Sequence, residues 1–154
     1  MQFVTHSAAQ RLIDHLMLLH PALAAERPGD DVRGEIAAGR VAACHDISDG
    51  GFLVAIAEMG MAGGCGVALD PLPVGVPHNV WWFGEDQARY LIETGDPDGL
   101  LAEARRAGVP ARRIGTVQGQ DAGAELTLTE AGAISVADLK AANEAWLPGY
   151  MAQS

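Results

Sequence analysis

One stretch constrains the fold of this chain more than any other: Val41-Ala42-Ala43-Cys44-His45-Asp46-Ile47-Ser48-Asp49-Gly50-Gly51-Phe52-Leu53-Val54-Ala55-Ile56-Ala57-Glu58. It opens as a short apolar run, the pattern of a buried strand. A polar turn with two aspartates and two glycines follows. The apolar segment beyond the turn is too long for one strand and reads as a buried helix over 50–62, closed by Gly63-Gly64. The unit is strand, acidic-glycine loop, helix. In open α/β sheets such a loop lies at the carboxyl end of its strand, where ligands bind.

Two uses of that loop compete. In the functional one, Asp46 and Asp49 offer hard oxygen ligands to a divalent cation that carries a phosphate-bearing ligand. Gly50 and Gly51 omit side chains so that a ligand can approach the backbone, and the helix N-terminus offers N–H groups to an anion. In the structural one, Ser48 or Asp49 caps the helix and the glycines permit a tight turn. A second turn, Gly84-Glu85-Asp86-Gln87-Ala88-Arg89, gathers two carboxylates, an amide and a guanidinium at a turn-to-strand junction. It also reads in two ways, as a binding element or as a solvated turn with an Arg–carboxylate pair.

A chain of 154 residues fits one domain and buries roughly two thirds of its unfolded surface. The formal net charge is −10, and arginine supplies nearly all the cations. With no basic patch, nucleic acid is not an expected partner. There is no signal peptide and no apolar span long enough for a membrane, so the expected location is cytoplasmic. Cys44 and Cys65 lie outside any CxxC spacing and read as reduced, buried residues. Cys44 and His45 are strand neighbours that point to opposite faces, which argues against a thiolate–imidazole pair.

The remaining elements follow from periodicity and punctuation. Residues 1–6 carry no pattern. Ser7 reads as an N-cap, with Ala8, Ala9, Leu12, Ile13, Leu16 and Leu19 at helical spacing up to Pro21. Residues 1–30 are therefore set apart as an N-terminal helical segment or chain edge, and 31–154 as the main domain. A second helical pattern over 22–39 is interrupted by Pro28-Gly29, with a fresh start expected near Asp30 and a stop at Gly39. Strands are expected at 41–45, 66–69, 88–94, 112–117 and 125–129. Helices are expected at 78–83, from a cap at Asp98 to Ala107, and from a capping box at Ser135 to about Trp146, with Pro148 as the stop. Trp81-Trp82 suits a nucleobase platform or, as the favoured reading, core or interface packing. Glu58 reads as a carboxylate on the one exposed stripe of its helix. The sum is an α/β (α+β) fold, a mixed sheet of about five strands with packed helices.

Residues 45–59, HDISDGGFLVAIAEM, resemble the signature of the C-terminal domain of the PurM/PurL superfamily. Its members include aminoimidazole ribonucleotide synthetase, selenophosphate synthetase, thiamine-phosphate kinase and the hydrogenase maturation factor HypE. Phe83-Gly84-Glu85-Asp86-Gln87-Ala88-Arg89-Tyr90-Leu91 and Glu144-Ala145-Trp146-Leu147-Pro148-Gly149-Tyr150-Met151 resemble the last domain of the phosphoribosylformylglycinamidine synthase large-subunit (PurL) family. The resemblance runs from about Val32 to the end and is weak before that.

The resemblance implies an AIR synthase-related C-terminal domain with a PurM C-terminal-domain-like fold. It implies a parent enzyme that amidates formylglycinamide ribonucleotide with ATP and glutamine in de novo purine synthesis, a carbon–nitrogen ligase. The nucleotide-binding and catalytic-histidine domains of the family are absent, so the fragment alone is expected to be inactive and no catalytic residue is assigned. For the full-length enzyme the implied cofactors are magnesium and ATP or ADP. Asp46 and Asp49 are the implied metal ligands, and Ser48, Gly50, Gly51, Glu85, Gln87 and Arg89 the implied nucleotide or substrate contacts. The matching turn in the family's other half carries Glu-Ser-Gln. Here Asp86 takes the middle position, and its carboxylate repels a phosphate that a hydroxyl would hold. The chain looks like the end of the second half, which in relatives of the large type houses an auxiliary nucleotide with magnesium rather than the reacting substrate.

The implied partners are the N-terminal part of the same enzyme, a glutaminase subunit, a small PurS-type subunit and a second copy in a homodimer. If the end within a few residues of Trp146-Leu147-Pro148 is natural, the parent is expected to be the small type, fed ammonia by a separate glutaminase subunit. Two alternatives stand beside this reading. One is a HypE-type ATP-dependent domain, in which the GEDQARY turn is not expected. The other is a non-catalytic scaffold that packs on a nucleotide-binding partner.

Overall fold

In the run Tyr90-Leu91-Ile92-Glu93-Thr94 the last four residues, apolar and polar alike, are buried in succession, as in a strand covered on both faces. In the computed structural model, which describes residues 14–19, 30–71, 75–85, 89–119, 123–129 and 131–152, this run lies inside a sheet. Leu91, Ile92 and Thr94 are fully buried. The elements are β1 (Asp14–Leu19), α1 (Asp30–Ala37), β2 (Ala43–Asp46), α2 (Gly51–Gly63), β3 (Val67–Leu69), α3 (His78–Phe83), β4 (Tyr90–Thr94), α4 (Pro97–Ala107), β5 (Ala111–Val117), β6 (Glu125–Leu128), β7 (Gly132–Ser135) and α5 (Val136–Met151). Among the described residues the strands form one sheet in the order β2-β4-β1-β5-β3-β6-β7. Its pairs are antiparallel except β3 with β6, so the sheet is mixed, as expected.

Helices cover both faces. On one face Phe52, Ala55 and Ile56 of α2 pack with Leu69, Leu91, Ile114 and Leu126, and Trp81, Trp82 and Leu139 close over them. On the other face Val32 and Leu100, from α1 and α4, pack with Val41 and Ile92. Leu91 and Ile92 thus feed opposite cores, the strand alternation that a two-sided sheet needs. Among the described residues no helix is long and apolar enough to cross a membrane.

Several expectations are corrected. Residues 14–19 are a strand, not part of a helix over 7–19. β1 pairs with β4 on one side and β5 on the other, for example His15 with Thr94 and His15 with Thr116. Backbone pairing on two edges outweighs the weak helical preference of a short Leu/Met segment. Residues 1–13 lie outside the described residues. With β1 and the unforeseen β7, the described sheet has seven strands rather than about five. The cap of α4 is Asp96, which accepts from the Gly99 N–H at 3.0 Å; Asp98 lies inside the first turn. Helix α5 passes through Pro148 to Met151. Its surface is exposed there, so solvent can satisfy the carbonyl that Pro148 cannot reach. The start of α1 at Asp30, α3 at His78–Phe83 and the Ser135 cap, which accepts from the Asp138 N–H at 3.3 Å, agree with the sequence reading.

Candidate functional site

Among the described residues β2 is one of the two edge strands of the sheet, and Asp46 is its last residue. The side chain of Asp46 is 60% exposed, and Ser48 and Asp49 are exposed as well. Between them Ile47 is buried in the core and anchors the loop. The polar positions of the loop therefore face outward while its one apolar position faces inward.

The N-cap of α2 is Gly50, at φ +77°, and no side chain from the loop bonds to it. Neither Ser48 nor Asp49 caps the helix, which corrects the structural version of the sequence reading. The glycines are explained by close approach within the chain. A Cβ on Gly51, at φ +83°, would lie 2.6 Å from the backbone of Phe83. A Cβ on Gly50 would lie 2.7 Å from a Val54 methyl. The missing side chain of Gly51 thus lets α2 meet α3, that of Gly50 leaves room for Val54 of α2 itself, and the Cβ position at each is taken by the chain.

The second turn comes to the same place. The Gly50 N–H donates to Glu85 Oε1 at 3.0 Å across 35 residues of sequence. The Ile47 N–H donates to the Arg89 carbonyl at 2.9 Å. Arg89 itself is buried, and its guanidinium donates to the Gly84 carbonyl, so it ties its own turn together from inside. Gln87, like Asp86, lies outside the described residues. Of the expected site residues, the structure brings Asp46, Ser48, Asp49, Gly50, Gly51 and Glu85 to one two-loop unit, with Arg89 beneath it.

Two residues beside this unit carried no joint signal in sequence. His45 Nε2 lies 2.9 Å from Glu58 Oε2 of α2 but is out of line for a hydrogen bond, and Nδ1 lies 2.6 Å from the Asp46 carbonyl oxygen. Glu58 stays about half exposed, as its stripe reading expects. Cys44 faces the opposite core from His45. Burial, with Asp46 adding to it, pushes the Cys44 thiol up to about 11. The neutral thiol is favoured in the fold. This contribution is complete below the ordinary thiol value of 9.0 and is lost as pH rises through about 11. A thiolate nucleophile is not built here. Trp81 and Trp82 each lie 5.6 Å from Phe52 between ring centres, and Arg112 sits 5.0 Å over Trp81. They pack on the core, in line with the favoured sequence reading.

Among the described residues no three His, Cys, Asp or Glu side chains gather as a protein-only metal cage. The chemistry of the donors still fits magnesium, which keeps several waters and takes one or two carboxylates plus phosphate oxygens. Asp46 and Asp49 are exposed carboxylates of that kind on one loop.

Comparisons with known proteins agree with this architecture. Residues 7–126 match the family described as AIR synthase related protein, C-terminal domain. The PurL subunit of phosphoribosylformylglycinamidine synthase from Parvibaculum lavamentivorans is 53% identical over 128 residues, covering 82% of this chain and 17% of that protein. The corresponding subunit from Methylocella silvestris is 55% identical over 134 residues, covering 84% and 17%. The chain therefore spans about one sixth of the length of these relatives. Among solved structures, Thermotoga maritima PurL complexed with ATP superposes with a TM-score of 0.66 at 16% identity, over 90% of this chain and 27% of that one. The PurLQS structure from the same organism gives 0.65 at 18% identity, over 88% and 27%. At those identities the likeness concerns the fold. Extending across most of the chain, the family match leads to one conclusion: this chain belongs to the AIR synthase related protein, C-terminal domain family.

Proposed function

We propose that the chain acts as one domain of a phosphoribosylformylglycinamidine synthase large subunit, the ATP-dependent enzyme that amidates formylglycinamide ribonucleotide. The observation that carries this reading is 53% identity over 128 residues to a relative of that name. The interlocked loops support it, because they present polar groups at a sheet edge while their apolar members hold the core. Thermotoga maritima PurL has been solved with ATP, ADP, AMPPCP and FGAR, ligands of the chemistry proposed here.

In this reading Asp46 and Asp49 would hold magnesium, and Ser48, Gly50 and Gly51 would contact the nucleotide phosphates. Magnesium would supply charge neutralisation at those phosphates. Asp46 and Asp49 would orient the ion, and Ile47 and Gly51 hold the loop against the core. The domain works with the remainder of a longer polypeptide, with a separate glutaminase subunit and with a small PurS-type subunit. A second copy of the chain pairs with it when the remainder is missing. The cytoplasm is the proposed location.

The test is Asp46→Asn and Asp49→Asn in a full-length enzyme that contains this domain. Asn keeps the shape and removes the charge that a divalent cation requires. The expected result is normal folding with weakened magnesium-nucleotide retention after purification, more strongly for Asp46. Wild-type nucleotide content in both variants would assign the loop a purely structural role. The scaffold reading is favoured by one observation, the use of the Gly50 N–H by Glu85. It predicts no effect of nucleotide on melting even with the missing part supplied.

A further inference from the structure

Helix α2 begins without the usual means of satisfying its first N–H groups. Its N-cap is a glycine, no cap side chain bonds to it, and its first turn carries no acidic residue. A helix start of this kind normally recruits an anion or an oxygen acceptor. Glu85 supplies one from across the fold, 3.0 Å from the Gly50 N–H. Glu85 stands two residues after Phe83, whose backbone closes on Gly51 so tightly that only glycine fits. A third tie, from the Ile47 N–H to the Arg89 carbonyl, lies on the other side of the same turn. The acidic-glycine loop is thus held at three successive points by one turn distant in sequence.

We propose that Glu85 is a positioning residue for the Asp46/Asp49 loop. It acts as a helix cap donated by the second turn, and holds Gly50 in its left-handed conformation through a hydrogen bond rather than by touching a ligand. The inference rests on the metal reading of Asp46 and Asp49 only for its effect on binding; the strap itself stands on the contact geometry. What matters at position 85 is an acceptor oxygen with the reach of Glu, not the negative charge. Gln preserves that oxygen and Ala removes it.

The experiment uses the whole 154-residue chain as wild type, Glu85→Gln and Glu85→Ala. Amide exchange at Gly50 is measured by NMR, and magnesium chloride is titrated while the amides of residues 46–50 are followed. Glu85 is exposed, so all three should fold, and melting confirms it. The Gly50 amide should exchange slowly in wild type and Glu85→Gln, and roughly three- to tenfold faster in Glu85→Ala, the worth of one hydrogen bond. Magnesium should bind wild type and Glu85→Gln alike and Glu85→Ala more weakly by a similar factor. Gly50 protection in Glu85→Ala equal to wild type would overturn the strap. A Glu85→Gln variant with normal Gly50 protection but magnesium binding as weak as Glu85→Ala would overturn positioning and make Glu85 a direct ligand. If the wild-type chain gives no response to magnesium alone, the two carboxylates do not suffice to hold the ion without phosphate oxygens, and the Gly50 exchange rates alone decide for or against the strap.

Discussion

At Gly51 two requirements coincide, a positive φ and a Cβ position already occupied by the Phe83 backbone. Backbone cannot move aside as a side chain can. Gly51→Ala should therefore cost roughly 1–3 kcal/mol, read as a lower urea midpoint. At Gly50 the obstacle is a Val54 methyl, which can turn away. Gly50→Ala should accordingly cost less than Gly51→Ala, and equal losses at both positions would contradict this ranking. The sequence made both glycines visible as a turn but not their reason. Two adjacent glycines look the same whether a ligand or Phe83 fills the space beside them. The same limit applied to Ser48 and Asp49, which have cap-forming side chains at a plausible spacing but point outward while Gly50 takes the cap position.

The boundaries of helices follow local chemistry, yet which of several candidates caps can depend on a single residue of register. Asp96 and Asp98 both precede the apolar positions of α4, and Pro97 stands between them. Pro97 has no N–H to offer and suits the first helical position, which puts the cap at Asp96. Asp96→Ala should lose about 1 kcal/mol of stability, whereas Asp98→Ala should stay within about 0.5 kcal/mol. Chemical denaturation of the two variants decides between the caps, and the reverse ranking would restore Asp98. β1 was hidden for another reason. Its Leu16 and Leu19 continue a helical spacing, and a strand identity appears only through partners on β4 and β5.

At the scale of the whole molecule, the largest exposed apolar side chains among the described residues gather at the end of α5. Trp146, Leu147, Tyr150 and Met151 are all more than half exposed, and Trp146 stacks on Tyr150 at 5.5 Å. Residues 145–152 hold no charge, so two copies of this acidic chain can approach there with little repulsion. Exposed faces of this kind favour burial against a partner. The isolated chain should show concentration-dependent sedimentation that Trp146→Ala with Tyr150→Ala weakens; a strictly monomeric profile at high concentration would refute the idea. The chain alone should also show no ATP-dependent amidation of formylglycinamide ribonucleotide, since it spans 17% of its relatives. Amidation by the pure chain in a coupled assay for ADP would contradict the domain reading.

The strand–loop–helix unit over β2 and α2, the short helix α3 and the caps at Gly64 and Ser135 were determined by the sequence itself. Each depends on side-chain periodicity or turn chemistry within a few residues, and such forces act before any tertiary contact exists. The tertiary structure decided what lies beyond that range. It made 14–19 a strand, added β7 to the sheet edge, and set His45 against Glu58. It also joined two motifs that the sequence displayed separately, through Gly50 with Glu85 and Gly51 with Phe83. Contacts of that kind depend on which strands pair and on how close two helices come. Neither quantity is written in the spacing of residues along one segment; both arise when the sheet orders itself and the backbones settle into contact.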